Sequence, residues 1–216
     1  MQSTFLPDFH VLITDQSNER VIEVNLAHRI VWQYGMTGVT GAGFDQLNNP
    51  NSAELLANGD ILIADENNNR VIEVNRAHQI VWQYGNPSNT NILNGAAFAS
   101  RLPNGNTLIT DSNNNRIVEV TMNKTVVFTY VTTARPGSMA MPLPTRAVRL
   151  HNGDTLISDQ FNDQVIEINP QSQIVFSQGQ IQVDGKGFDQ LNAPYDAKVV
   201  GDYTGLTPPF FFDREG

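Results

Sequence analysis

Short apolar runs separated by polar clusters recur along the whole chain. Four of them read Val11-Leu12-Ile13-Thr14-Asp15, Ile61-Leu62-Ile63-Ala64-Asp65, Thr107-Leu108-Ile109-Thr110-Asp111 and Thr155-Leu156-Ile157-Ser158-Asp159. Three residues past each aspartate stands an asparagine: Asn18, Asn68, Asn114 and Asn162. A second run follows, at Val21–Val24, Val71–Val74, Ile117–Val120 and Val165–Ile168, with a glutamate third in each. The aspartates at 15, 65, 111 and 159 are 50, 46 and 48 residues apart. Five-residue runs of branched side chains bounded by Gly, Asn and Asp predict strands. Self-similarity at this period predicts a solenoid, a propeller or an array of small units.

Residues 50–85 show the unit most clearly. Ser52–Leu56 is a short run closed by Ala57-Asn58-Gly59-Asp60, and Asn-Gly predicts a hairpin with a type I′ turn. Ile61–Ala64 is a second strand, Asp65–Asn69 a polar turn and Arg70–Val74 a third strand. Asn75–His78 turns again, and Gln79–Tyr84 is a fourth strand ended by Gly85. Asn104-Gly105 and Asn152-Gly153 repeat the hairpin, and Trp32-Gln33-Tyr34-Gly35 repeats Trp82-Gln83-Tyr84-Gly85. Four short strands joined by tight turns make an antiparallel meander. Such a unit buries its faces only against its neighbours, and radial stacking does so with short edges, whereas a solenoid would favour parallel strands and shorter repeats. The expectation is an all-β fold, a β-propeller of four-stranded antiparallel blades with four blades. A single domain spans 1–216, with repeats at about 1–49, 50–95, 96–143 and 144–193. Residues 194–207 would complete a blade and 208–216 form a tail.

Gly187-Phe188-Asp189-Gln190-Leu191-Asn192-Ala193-Pro194 repeats 43–50, so Tyr195–Val200 should be an innermost strand without second, third and fourth strands of its own. His10–Gly35 is a set of three strands with little before it. Closure of a ring would pair 195–200 beside 10–15. That closure, which completes one blade and gives four, is the economical expectation; Phe5-Leu6-Pro7-Asp8 aligns instead with the end of a first strand, and the runner-up is a fragment of a larger propeller or a half-ring completed by a homodimer.

The stretch Gly41-Ala42-Gly43-Phe44-Asp45-Gln46-Leu47-Asn48, with Pro50, Asn58-Gly59, Ile63-Ala64-Asp65 and Asn68-Asn69-Arg70-Val71, resembles an NHL-type propeller repeat. Leu102–Asp111 and Ile80–Gly85 resemble arylsulfotransferase-like propellers of bacteria and archaea. The resemblance covers nearly the whole chain and implies a propeller. It leaves activity open, since these families mix enzymes, ligand binders and interaction modules.

Composition narrows the partners. The 216 residues are 40% hydrophobic and 16% charged, with net charge −9 and a pI near 4.7. No Lys/Arg cluster is present, so neither nucleic acid nor an anionic membrane is an expected partner. Cysteine is absent, which excludes disulfides and thiolate metal sites. No apolar stretch is long enough for a membrane span, and Met1–Phe5 lacks a basic region followed by an apolar run, so no signal peptide is expected. The compartment stays open between the cytoplasm and excision from an exported protein.

Candidate chemistry falls in three places. The aspartate turns share a rim with the connections 36–49, 86–95, 131–143 and 180–193, and long connections on a rigid scaffold are where sites sit. The segment Val131–Pro144, with Arg135, Pro136, Gly137, Met139 and Met141, departs most from the repeat. The recurrent Asp–Asn–Arg turn reads either as a ring of hard-cation ligands or as turn capping, with Arg20, Arg70 and Arg116 pairing carboxylates. The arginine in three of the turns favours capping, and no metal or cofactor is expected. Among the histidines, His28 and His78 take equivalent turn positions, filled by Asn123 and Ser172 in the other copies; none carries a catalytic motif. Residues expected to line a channel are Ser52, Arg101, Arg146, Arg149, Tyr195 and Asp196, with His151 near its mouth; together they could bind a small anion or organic acid. The function expected is a non-catalytic scaffold for an unknown protein or small molecule. The alternative is a lyase- or sulfotransferase-like enzyme centred on Arg146 with His151 or Asp196.

Overall fold

A computed structural model describes residues 10–202. Phe5–Asp8, the end of the segment 194–207 and the tail 208–216 lie outside the described residues. The chain groups into two compact units, residues 1–99 and 100–216, with the boundary inside one strand.

The fold is all-β and of the propeller type, built from four antiparallel sheets. The first holds β1 (His10–Asp15), β2 (Arg20–Asn25) and β3 (Ile30–Tyr34). The second holds β4 (Pro50–Leu55), β5 (Ile61–Asp65), β6 (Arg70–Val74) and β7 (Ile80–Gly85). The third runs from β8 (Ala96–Arg101) through β9 (Thr107–Asp111) and β10 (Arg116–Val120) to β11 (Val126–Val131). The fourth holds β12 (Arg146–Arg149), β13 (Thr155–Asp159), β14 (Gln164–Ile168) and β15 (Ile174–Gln178). Each sheet pairs its strands in chain order, as a meander must.

The cores explain why the central runs are apolar without alternation. β5, β9 and β13 are buried along their whole length, so neither face of these strands alternates with solvent. In the first unit Val21, Tyr34, Leu47, Ile61, Ile63, Ile72 and Val74 pack together. In the second unit Leu102, Leu108, Ile117, Tyr130, Ala147, Ile157, Ile166 and Ile168 do the same. Each fully buried aliphatic side chain contributes about 1.5–3 kcal/mol.

Three details differ from the sequence expectation. The Asn-Gly hairpins are not type I′ turns, which need positive φ at both central residues. Only Gly59, Gly105 and Gly153 are left-handed, at +86°, +84° and +90°. Gly59 N donates to Leu56 O and Leu56 N to Asp60 O, both at 2.9 Å, so a type I turn is followed by a left-handed glycine. Next, the position shared by His28 and His78 is held in the third sheet by Lys124, not Asn123. These residues and Ser172 all have φ between 59° and 67°, and one residue's slip in a turn leaves no trace in the apolar pattern. Finally, residues 195–200 form no strand. A strand exists through the ladder it joins, and this segment has none among the described residues. Among the described residues the first sheet has three strands, and β1 leaves Val11 and Ile13 43% and 37% exposed.

A recurrent bulge was not foreseen. The ladder slips by one residue at Glu23/Val24, Glu73/Val74, Glu119/Val120 and Glu167/Ile168, the same place in all four sheets. A bulge there increases the local twist. Glu73 and Glu119 turn back to the hairpin, where Asn58 Nδ2 reaches Glu73 Oε1 at 3.2 Å and Asn106 Nδ2 reaches Glu119 Oε1 at 2.7 Å.

Candidate functional site

The aspartate turns hold the long connections in place. In the second sheet β5 ends at Asp65, one turn of 3-10 helix follows, and Asn69 takes a left-handed φ of 50° before β6 begins. Asp65 Oδ2 accepts from Asn68 Nδ2 at 2.7 Å and from Arg70 Nε at 2.6 Å. Its Oδ1 accepts from the Asn48 amide at 2.7 Å. Arg70 donates onward to the carbonyls of Ala42 at 3.2 Å and Gln46 at 3.1 Å, and Asn68 Nδ2 to that of Gly41 at 2.7 Å. A single buried carboxylate thus anchors the connection 36–49 through its own ligands. The same Asp–Asn–Arg pairing stands at Asp15, with Arg20 Nε at 2.7 Å, and at Asp111, with Arg116 Nε at 2.7 Å. The positive charge a hard cation would bring is supplied by the arginine.

The left-handed residue of each turn clamps the far end of the connection leaving its own sheet. Glu19, Asn69, Asn115 and Asp163 accept through their side chains from the amides of Asn49, Gly95, Leu143 and Ala193. All four of those amides belong to residues with positive φ. The near end passes close over the same turn: a Cβ on Gly35, Gly85 or Gly179 would lie 2.3, 2.3 or 2.1 Å from the carbonyl oxygen of Glu19, Asn69 or Asp163.

The fourth sheet solves the turn differently. Gln164 stands where the other copies have arginine, and Arg135, from the divergent segment Val131–Pro144, reaches in to pair with Asp159 and Gln164. Asn162 Nδ2 completes Asp159 at 2.8 Å, while its Oδ1 accepts from the Met139 amide at 2.8 Å. Sequence reasoning singled out this segment but not this role. The signal was present as an arginine missing from one of four equivalent turns.

Burial separates these carboxylates. It pushes Asp65 and Asp159 upward, against the pull of Arg70 and Asn68 in one case and of Asn162 and Arg135 in the other. Asp15 is more open, and its hydrogen bond from Arg20 draws it below the usual carboxylate range. Burial also raises Tyr34 and Tyr130.

Within each unit the residues expected to line a channel make contacts of their own. Arg146 Nη1 meets Asp196 Oδ2 at 2.8 Å, and Lys198 joins them. Burial works against the Asp196 charge, but Lys198 and Arg146 leave its carboxyl lowered. The Tyr195 carbonyl accepts from Thr145 Oγ1 at 2.6 Å. Arg149 instead pairs with Glu119 Oε2 at 2.9 Å and lies over the Phe128 ring. Arg101 reaches the Gly105 carbonyl at 3.1 Å. His151, 73% exposed, meets Asp202 Oδ1 at 3.0 Å. In the first unit, Ser52 Oγ accepts from the Ala99 amide at 3.3 Å. The first unit also holds an aromatic group sequence reasoning did not assemble. His78 Nδ1 is 3.1 Å from Asp45 Oδ1, its ring stands edge-on to Trp32 at 5.8 Å, and Arg76 covers Trp32.

The connection 36–49 has a near copy in 180–193. Asp45 Oδ1 accepts from the Gly35 amide at 2.9 Å, and Asp189 Oδ1 from Gly179 at 2.8 Å. Gln46 Oε1 accepts from Gly43 at 3.1 Å, and Gln190 Oε1 from Gly187 at 3.0 Å. A Cβ on Gly41 or Gly185 would come within 2.3 or 2.4 Å of those glutamine oxygens. The two loops are therefore rigidly defined, and each presents one phenylalanine: Phe44 is 75% exposed and Phe188 100%.

Comparison with solved structures finds propellers. A streptogramin B lyase is similar at TM-score 0.58 and 15% identity, over 78% of this chain and 50% of that one. The virginiamycin B lyase of Staphylococcus aureus is similar at TM-score 0.56 and 17% identity, over 80% of this chain and 53% of that one. A putative exported protein of Bacteroides fragilis follows at TM-score 0.50 and 17% identity, over 77% and 46%. The chain spans about half the length of these solved proteins. At such identity the likeness establishes the β-propeller fold and nothing of chemistry. No family model matches the chain, and no curated protein matches it.

Proposed function

We propose that the chain is a protein-interaction scaffold, an NHL-like array whose rim loops are its working surface. The observation that supports this is the loop built twice. Both copies spend glycines, a glutamine cap and an aspartate cap on fixing a backbone that leaves Phe44 and Phe188 in solvent. An aromatic ring held rigidly outside a core offers large contact area at small entropy cost on binding. Affinity capture from a cell extract, run in parallel with the wild type and the Phe44→Ala/Phe188→Ala variant, tests the reading. A protein retained by the first and lost by the second, with thermal stability unchanged, is the expected result. Identical retained sets would refute it.

A second reading, a lyase, is favoured by the His78–Asp45 pair beside Trp32 and Tyr34, because an imidazole oriented by a carboxylate suits a general base. Incubation with a streptogramin B followed by liquid chromatography checks it: consumption by the wild type and none by His78→Ala would carry the reading.

A further inference from the structure

The first unit shows how a connection and the strand after it are received, and the two ends of the described chain each hold one half of that arrangement. In the first unit the loop 43–49 leads into β4, which pairs with β5 so that Ala53 lies opposite Ile63 and Leu55 opposite Ile61. The loop is seated on Asp65, Asn68 and Arg70. The segment 187–194 repeats 43–50, and its loop has the same internal hydrogen bonds. The strand that should follow, 195–199, already leans on the fourth sheet. Thr145 holds the Tyr195 carbonyl, Arg146 holds Asp196, and Ala197 packs on Val148, Leu150 and Leu156. It has no ladder of its own among the described residues, and Val200 is fully exposed.

The first sheet is the converse. β1 corresponds to β5 but has no strand on its free side among the described residues. Its Asp15, Asn18 and Arg20 form the receiving turn, with no incoming connection seated on it among the described residues. Arg20 Nη1, whose counterpart in Arg70 donates to a connection carbonyl, turns instead to Gln33 Oε1 and Thr37 Oγ1, both at 3.2 Å. A free edge with apolar side chains is a template for one more strand.

We propose that residues 179–199 of one copy dock on the first sheet of a second copy, the strand 195–199 pairing with β1 and the loop seating on Asp15, Asn18 and Arg20. The register follows from the first unit: Ala197 opposite Ile13 and Val199 opposite Val11. The contact joins unlike surfaces and is therefore heterologous. The docking segment includes Phe188 but neither Phe44 nor the His78–Asp45 pair, and the disulfide test at positions 13 and 197 reads the contact without altering any residue of either functional reading.

The absence of cysteine in the chain makes the test direct. Chains carrying Ile13→Cys and chains carrying Ala197→Cys are mixed and oxidised gently, and a chain carrying both is oxidised alone. The expected result is a disulfide between 13 and 197 linking two chains in both samples. Sedimentation of the wild type should show twice 23.9 kDa giving way to 23.9 kDa on dilution. Asp15→Ala, which leaves the receiving turn without its carboxylate, should move that midpoint at least about tenfold in concentration. A 13–197 disulfide formed only within the doubly substituted chain would overturn the proposal in favour of self-closure. So would a wild type of 23.9 kDa at every concentration, or a yield no higher than that of Ile13→Cys mixed with Val175→Cys.

Discussion

Arg135 belongs to a connection, yet the turn of the fourth sheet depends on it. Asp159 is buried, and removing its guanidinium leaves a carboxylate with Asn162 as its remaining donor. Breaking a buried pair from one side costs about 3–5 kcal/mol. Arg135→Ala should therefore lower stability by about 3 kcal/mol in urea titration, and adding Asp159→Asn to it should recover part of the loss. A second comparison sets two glycines with similar φ against each other. Gly59, at φ +86°, has nothing within 4 Å of the place a Cβ would take, so Gly59→Ala should cost about 1 kcal/mol for the left-handed backbone alone. Gly85, at φ +79°, would bring that carbon to 2.3 Å from Asn69 O, and Gly85→Ala should cost at least about twice as much. Equal midpoints for the two variants would contradict the close approach described here.

At the level of elements, the turns differ in how they answer to acid. The carboxyl of Asp15 is lowered in the folded chain, so the folded state binds fewer protons there than the unfolded one. Its contribution is present above the unfolded value near about 4 and is lost as pH falls through the folded value. Asp65 and Asp159 are raised, so their contribution has the opposite sign: it is full below about 4 and lost as pH rises through their folded values. Melting temperatures taken between about pH 5 and about pH 2 should fall less for Asp15→Asn than for the wild type. The strands of these elements were legible because each run is short, branched and bounded by turn residues. The pairing of Asp65 with Arg70 was legible too, since opposite charges five apart around a turn have few other partners. The repeated bulge at Glu23, Glu73, Glu119 and Glu167 was not, because a one-residue slip in a ladder changes hydrogen bonding without changing residue type. The reach of Arg135 across to Asp159 was hidden for another reason: a contact between a loop and the following sheet has no fixed spacing.

At the level of the whole chain, the repeat made the class of fold readable, since no other arrangement of four-stranded meanders covers its faces so economically. The fate of 195–200 was not readable, because whether a segment is a strand depends on a partner outside it. That dependence has a thermodynamic signature. If a second copy receives residues 179–199, the melting temperature should climb with protein concentration, since association draws on the folded state alone; differential scanning fluorimetry over a hundredfold dilution series checks this. Arg135 has a consequence of its own for any attempt to shuffle the repeats. A transplant of residues 144–193 into another array would leave Asp159 without a counter-ion, whereas residues 50–95 carry Asp65 and Arg70 together. The heritable module of this protein is therefore not uniform: one of its copies can be moved only with the tail of the repeat before it.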